Sequence, residues 1–210
     1  MALRANFQKS YLWRYLLVAV SCLAFSAWFA YDGFVGYPLK VEMAREYETL
    51  AKTLEADELK SAWRKKVAEK NWPQVTPADK ADHIEQDIPQ QYFWCLLTAF
   101  IGFPALYYYL TSRTQWVERT EHGLTTSWGQ TVNFRDVKKI DKSKWAKKGI
   151  AKATYNENGK DRVFVFDDFK FEREKLGEML FDLEHLLTDD QIVGGPRETK
   201  KPEEVEEEDD

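Results

Sequence analysis

Two uncharged apolar runs decide most of what this chain can become. Residues 15–31 read YLLVAVSCLAFSAWFAY and residues 92–110 read YFWCLLTAFIGFPALYYYL, with no Asp, Glu, Lys or Arg in either. A helix crosses a hydrocarbon layer of ~30 Å in about 20 mostly apolar residues, and each run reaches that length with its flanks. Aromatic residues crowd the ends: Tyr11, Trp13 and Tyr15 with Tyr31 and Tyr37 on the first, Tyr92 and Trp94 with Tyr107–Tyr109 on the second. Such rings, apolar in body and polar at the tip, collect at the headgroup layer. The expected architecture is two transmembrane helices, over residues 11–37 and 88–112, behind a short tail at 1–10. A cleaved signal peptide competes for the first run, because Arg4, Lys9 and Arg14 form a basic leader. The run is long for that role and no small-x-small site follows it. Ala19 also spoils the stretch AVSC as a lipoprotein box. Cys22 and Cys95 fall inside the two spans at different depths if the helices are antiparallel, which argues against a disulfide or a metal site.

Asp32 sits in YDGFVGYP, residues 31–38, where Asp-Gly and Gly-Tyr-Pro read as turn chemistry ending the helix at the interface. A functional intramembrane carboxylate is the alternative. Residues 38–87 read as a polar, helical extramembrane insert. Met43, Tyr47, Leu50 and Leu54 form one apolar stripe, and Leu59, Trp63 and Val67 another, with Asp57 placed to cap the second helix. Thr76 followed by Pro77 and Asp79 is a helix-start signature, and Asp87 before Ile88-Pro89 reads as the start of the second span. Pro104 predicts a kink there.

After Trp116 the texture changes to strand. LTTSW and TVNF flank a turn containing Gly129, and GIAKATY and RVFVFDDFKF flank Asn158-Gly159, a pair that accepts positive φ at both central positions. Leu176, Met179, Leu180, Leu183 and Leu187 then give one apolar helix face over 173–187. The fold class is therefore a membrane protein of α+β type: a two-span helical hairpin with a helical insert, then a small antiparallel β domain at 113–190 closed by a C-terminal helix. Residues 191–210, with the terminal block EEVEEEDD, read as a disordered acidic tail.

TEHGLTTSWGQTVNFRDVKKIDK (120–142), GIAKATYNENGKDRVFVF (149–166) and the closing helix resemble the pleckstrin-homology-like (PH-like) domains of bacterial membrane-anchored proteins, with Phe134-Arg135-Asp136-Val137 as the aromatic corner. The resemblance covers about residues 111–188 and rests on spacing. It implies a barrel of bent antiparallel sheets with a C-terminal helix. It does not imply phosphoinositide binding, and it leaves the insert uncovered.

No catalytic constellation can be assembled. His83, His122 and His185 are scattered, Glu184-His185 reads as a polar helix flank, and Asp167 and Asp168 point to opposite faces of a strand. HExxH, G-x-S-x-G, phosphate-loop and Rossmann signatures are missing from the sequence. No enzyme, cofactor or metal is expected. The remaining feature is KKIDKSKWAKKG, residues 138–149, in a chain of net charge −5. Lys138, Lys139, Lys142, Lys144, Lys147 and Lys148 surround Trp145. No groove-reading element accompanies them, so nucleic acid is not the expected partner. Three readings stay open: a solvated sheet face whose lysines block edge pairing, contact with anionic lipid headgroups, or a protein partner. Insert residues 39–87 are a second candidate for a protein contact.

Arg4, Lys9, Arg14, Arg113 and Arg119 flank the outer ends of the spans, against Lys40, Arg45, Lys52 and Lys80 beside the insert. That bias places both termini in the cytoplasm, and the resemblance points to a bacterial inner membrane. The expected role is a two-pass membrane protein displaying a PH-like binding or scaffolding module, with an accessory subunit of a larger membrane complex as the alternative.

Overall fold

The computed structural model describes residues 3–198. The described chain divides into two compact units, one of residues 3–16 with 107–198 and one of residues 17–106.

The helical unit is built on two long apolar helices. Helix α1 (Lys9–Tyr31) passes through a π-helical turn at Asp32–Gly36 into α2 (Tyr37–Ala51) without leaving helical conformation. This corrects the expected helix end at residues 31–38. Pro38 lacks an N–H and its ring would crowd the carbonyl one turn back. A widened turn, in which the Tyr37 N–H reaches the Asp32 carbonyl, carries the helix past it. Asp32 accepts a hydrogen bond from Trp28 Nε1 at 2.8 Å. Helix α3 (Ala56–Lys70) folds back on α2, and Met43, Trp63 and Val67 bury together with Tyr47 and Leu50 against them. The two stripes read from the sequence therefore face each other. The α3 start is Glu55 rather than Asp57, and Asn71, at φ 55°, ends the helix in the left-handed region.

Helix α4 (Ala81–Ser112) is continuous through Pro89 and Pro104. It starts before the expected Asp87 and after the expected Thr76, because its first N–H is capped from another element: Glu48 Oε1 accepts from Ala81 N at 2.8 Å. A cap supplied by tertiary contact leaves no local signature. Within this unit α1 and α4 pack antiparallel. Ser26 Oγ donates to the Cys95 carbonyl, Tyr92 Oη to the Gly33 carbonyl, and Gly102 presses against Cys22 and Leu23, where a Cβ would lie 2.9 Å from Leu23. Both cysteines are free. Each helix is long and apolar enough to cross a bilayer, and only 11% of the apolar window of the first and 6% of that of the second is buried. Burial that low excludes a role as core helices within this chain.

The other unit is α+β. Strands β1 (Arg4–Asn6), β2 (Trp116–Thr120), β3 (Gly123–Thr126) and β4 (Thr131–Asn133) form one antiparallel sheet in that order. Gly129, at φ 85°, makes the β3–β4 turn. A 3-10 turn at Phe134–Asp136 buries Phe134 and leads into the second sheet. That sheet has the order β7-β6-β5-β8, with β5 (Val137–Lys144), β6 (Ile150–Glu157), β7 (Lys160–Asp167) and β8 (Ile192–Val193). Asn158 (φ 52°) and Gly159 (φ 82°) make the β6–β7 hairpin as read from the sequence. Between β5 and β6 lies the single-turn helix α5 (Trp145–Lys148). Helix α6 (Arg173–Glu184) lays Leu176, Met179, Leu180 and Leu183 into the core, all fully buried.

Two boundaries move. The expected tail at 1–10 contains β1, which pairs Arg4 with Glu118 and Asn6 with Trp116. Residues 191–198 belong to the folded unit: β8 pairs in parallel with β5, Ile140 opposite Ile192, so the sheets are not wholly antiparallel. Residues 199–210 of the expected acidic tail lie outside the described residues.

Strand β1 does more than extend an edge. Phe7 bridges to Phe171, and the Gln8 N–H bonds the Lys170 carbonyl. Residues 3–8 thus close the seam between the first sheet and the connection from β7 to α6. Glu172 accepts from the Asn6 N–H at 2.8 Å and from Lys175 at 2.9 Å. Burial raises the Glu172 carboxyl, but the Asn6 N–H and Lys175 outweigh it and hold the group below its ordinary value of 4.5. A carboxyl depressed in the folded state stabilises above its unfolded value and loses that stabilisation as pH falls through the folded one. Amides of residues 3–8 should therefore lose protection against hydrogen exchange, relative to β6 and β7, as pH drops below 4.5, and Glu172→Gln should remove that pH dependence. Ala5 is fully buried in the core, so Ala5→Asp should destabilise this unit by about 3 kcal/mol or more in denaturant unfolding. An unchanged midpoint would mean that residues 3–8 do not belong to it.

Candidate functional site

The lysine stretch becomes β5 and α5, and the strand is bulged. Its pairing with β6 slips between Val137 and Lys139 and again between Asp141 and Lys144. A bulge reverses which side chains face the core, so the lysines do not share one environment. Val137, Ile140 and Lys142 point inward and are buried, whereas Lys138, Lys139 and Lys144 are exposed. Lys147 and Lys148 are exposed on α5, and Trp145 is partly buried against the core.

Part of this charge is spent internally. Lys138 pairs with Asp161, and that hydrogen bond holds the Asp161 carboxyl below the usual range. Asp141 is lowered by the Ser143 backbone N–H it accepts. Lys144, Lys147 and Lys148 make no hydrogen bond or ion pair with any described residue.

Lys142 is a correction to the idea of a six-lysine surface. Its side chain is 2% exposed, and its Nζ lies 2.8 Å from Glu184 Oε1, itself on a fully buried side chain. The same ammonium donates to the Pro196 carbonyl at 2.7 Å and to Glu198 Oε1 at 2.8 Å. Glu184 Oε2 in turn accepts from the Glu198 N–H at 2.8 Å. Arg197 adds a second fastening, donating to the Glu184 and Leu187 carbonyls beyond the last turn of α6 and pairing with Asp189. Residues 189–198 thus form a strap across β5 and α6 that ends on a buried ion pair. The signal was present in the sequence: Lys142 is two residues from Ile140 on a strand, and Glu184 is four from Leu180 on a helix, so each shares a face with a core residue.

Beside α5 lies a cleft of about 330 Å³ lined by Gln8, Trp145, Lys147, Asp168 and Arg173. Gly149, at φ 57°, is required there, since a Cβ would fall 1.5 Å from Asp168 Oδ1. Burial pushes the Asp168 carboxyl up, against the lowering pull of Arg173 at 3.3 Å. Asp167 turns instead to Lys170 at 3.2 Å, so the two acids have separate partners. The histidines stay apart in role: His83 is exposed on α4, the His122 carbonyl accepts from Phe134 N in the β2–β3 turn, and the His185 ring packs on Phe181. Among the described residues no three His, Cys, Asp or Glu side chains are grouped to hold a metal ion.

Comparisons with family models, with curated proteins and with solved structures return no match to this chain.

Removing one partner of a buried ion pair strands the other and costs about 3–5 kcal/mol, whereas replacing both with apolar groups is often neutral. Lys142→Met should therefore destabilise the sheet-containing unit strongly, and Lys142→Met with Glu184→Leu should recover most of the loss, as read by thermal unfolding. A single variant as stable as the parent would mean that the pair does not fasten the strap.

Proposed function

We propose that this chain is a two-pass membrane protein that carries a PH-like binding or scaffolding module on the cytoplasmic side of a bacterial inner membrane, without catalysis of its own. One observation carries the reading. Strand β1 immediately precedes α1, β2 closely follows α4, and the two strands pair. The start of α1 and the end of α4 therefore lie together in one folded unit, where the Tyr15 and Tyr108 rings are 4.5 Å apart. Two helices that leave and rejoin the same unit, with apolar faces as open as Phe100 at 78% and Leu96 at 70% exposed, call for a solvent other than water. Hydrocarbon would supply it, and the β1–β2 pairing supports a hairpin topology there. Two facing sheets, a buried aromatic corner and a closing helix support the PH-like description. Lys144, Lys147 and Lys148, exposed and without an ion-pair partner among the described residues, suit attraction to anionic headgroups at about 1 kcal/mol each near the surface.

A second reading, an accessory subunit docking to a larger membrane complex, is favoured by one feature of the insert. A cleft of about 380 Å³ between α2 and residues 73–79 is lined by Tyr37, Met43, Val75 and Pro77, and Val75 is 61% exposed. Copurification of a stoichiometric partner that is lost with Val75→Asp would favour this reading over the first.

Topology is testable directly. With Cys22 and Cys95 replaced by Ala, a membrane-impermeant thiol reagent should label Ser61→Cys on α3 in intact cells, and should label Lys148→Cys on α5 only after the membrane is opened. Labelling of position 148 alone in intact cells would invert the orientation, and labelling of both would defeat the two-span hairpin.

A further inference from the structure

A cleft of about 1070 Å³ in the sheet-containing unit opens where β1 turns into α1 and faces the end of α4 and the start of α6. We propose that it holds the phosphate of a membrane phospholipid between Lys9 and Arg113. The proposal rests on the two-span reading, and it places lipid recognition away from the lysine stretch.

Charge accounting singles out these two residues. Of the cations on the wall, Lys175 is already bound to Glu172 at 2.9 Å, and Glu172 is further occupied by the Asn6 N–H. Lys9 and Arg113 are exposed, and neither the Lys9 ammonium nor the Arg113 guanidinium forms a hydrogen bond or ion pair with any described residue. Glu174 is the only other carboxylate lining the cleft, which disfavours a polyanion and suits a single phosphodiester. Position supplies the second argument. Lys9 is the first residue of α1, and Arg113 directly follows the last residue of α4. In the two-span reading both side chains therefore lie at headgroup depth. Trp13 and Tyr109 line the same cleft one turn further along their helices, with Trp13 63% exposed. An indole and a phenol at that depth bridge headgroup and acyl chain, while the guanidinium supplies a fork of donors matched to phosphate oxygens. A soluble phosphate would use the two cations but not the aromatic wall.

The full-length chain, extracted in mild detergent, is examined by native mass spectrometry for retained phospholipid. Lys9→Gln with Arg113→Gln should weaken lipid retention about thirtyfold, the order expected for removing two membrane-proximal charges. Lys9→Arg with Arg113→Lys should restore it, and Lys147→Gln with Lys148→Gln should leave it unchanged. Parental occupancy in the first variant overturns the site. So does displacement of the lipid by glycerol phosphate, which would reveal a pocket for soluble phosphate. Matching thermal transitions of variant and parent show that the loss is not misfolding. Extraction of the native membranes with alkaline carbonate separates the two claims: a chain released into the supernatant undermines the membrane reading, while a chain retained without site-dependent lipid undermines only this site.

Discussion

The pairing of β1 with β2 is the contact on which the rest depends. Residues 4–6 and residues 116–118 pair as antiparallel neighbours, and everything between them becomes a closed excursion. Without that pairing the first sheet would lose Ala5 and Phe7 from its core, the Phe7–Phe171 bridge would open, and Glu172 would lose a backbone donor that helps hold its carboxyl below the ordinary value. The same pairing fixes where two exposed apolar helices start and finish. Each hydrogen bond alone is worth only about 1 kcal/mol net. Their leverage comes from what they close.

Features governed by local chemistry were legible in the sequence. The Asn158-Gly159 hairpin, the Gly129 turn, the leucine face of α6 and the facing stripes of α2 and α3 all follow from φ preference or periodicity, which a short window contains. What escaped is non-local. The cap of α4 comes from Glu48, the partner of Arg4–Asn6 is more than a hundred residues away, and the π-helical turn before Pro38 keeps a helix going where turn residues argue for its end. No window short enough to show periodicity contains the first two contacts, and the third, though local, is a rare turn without a residue pattern of its own.

The lysine stretch shows how far composition can mislead about a site. Six lysines around one tryptophan suggest a uniform cationic face, yet the bulged strand and the helix after it separate them: Lys138 pairs with Asp161, Lys142 is buried on Glu184, Lys139 is exposed on β5, and Lys144, Lys147 and Lys148 lie exposed on and beside α5. Burying an ammonium is costly unless its donors are filled, and Lys142 has Glu184, Glu198 and the Pro196 carbonyl around it. All three partners belong to the C-terminal third of the chain, so one of the six lysines read as a candidate surface contact instead joins two segments of the fold.

Because β1 precedes α1 and its neighbour in the sheet follows α4, the two sides of this ladder are separated in time as well as in sequence. At a synthesis rate of ~5–20 residues per second, β1 waits on the order of ten seconds for β2, with an unsatisfied strand edge and the apolar side chain of Phe7 exposed. The leading strand is then a reserved place that only a completed hairpin can fill, and the strap at 189–198 must emerge later still before Lys142 can be enclosed. In the proposed two-span arrangement, a nascent chain whose second apolar helix failed to insert would leave β1 and β2 on opposite sides of the bilayer, never to meet. Closure of this small domain would thus act as its own record that both helices went in.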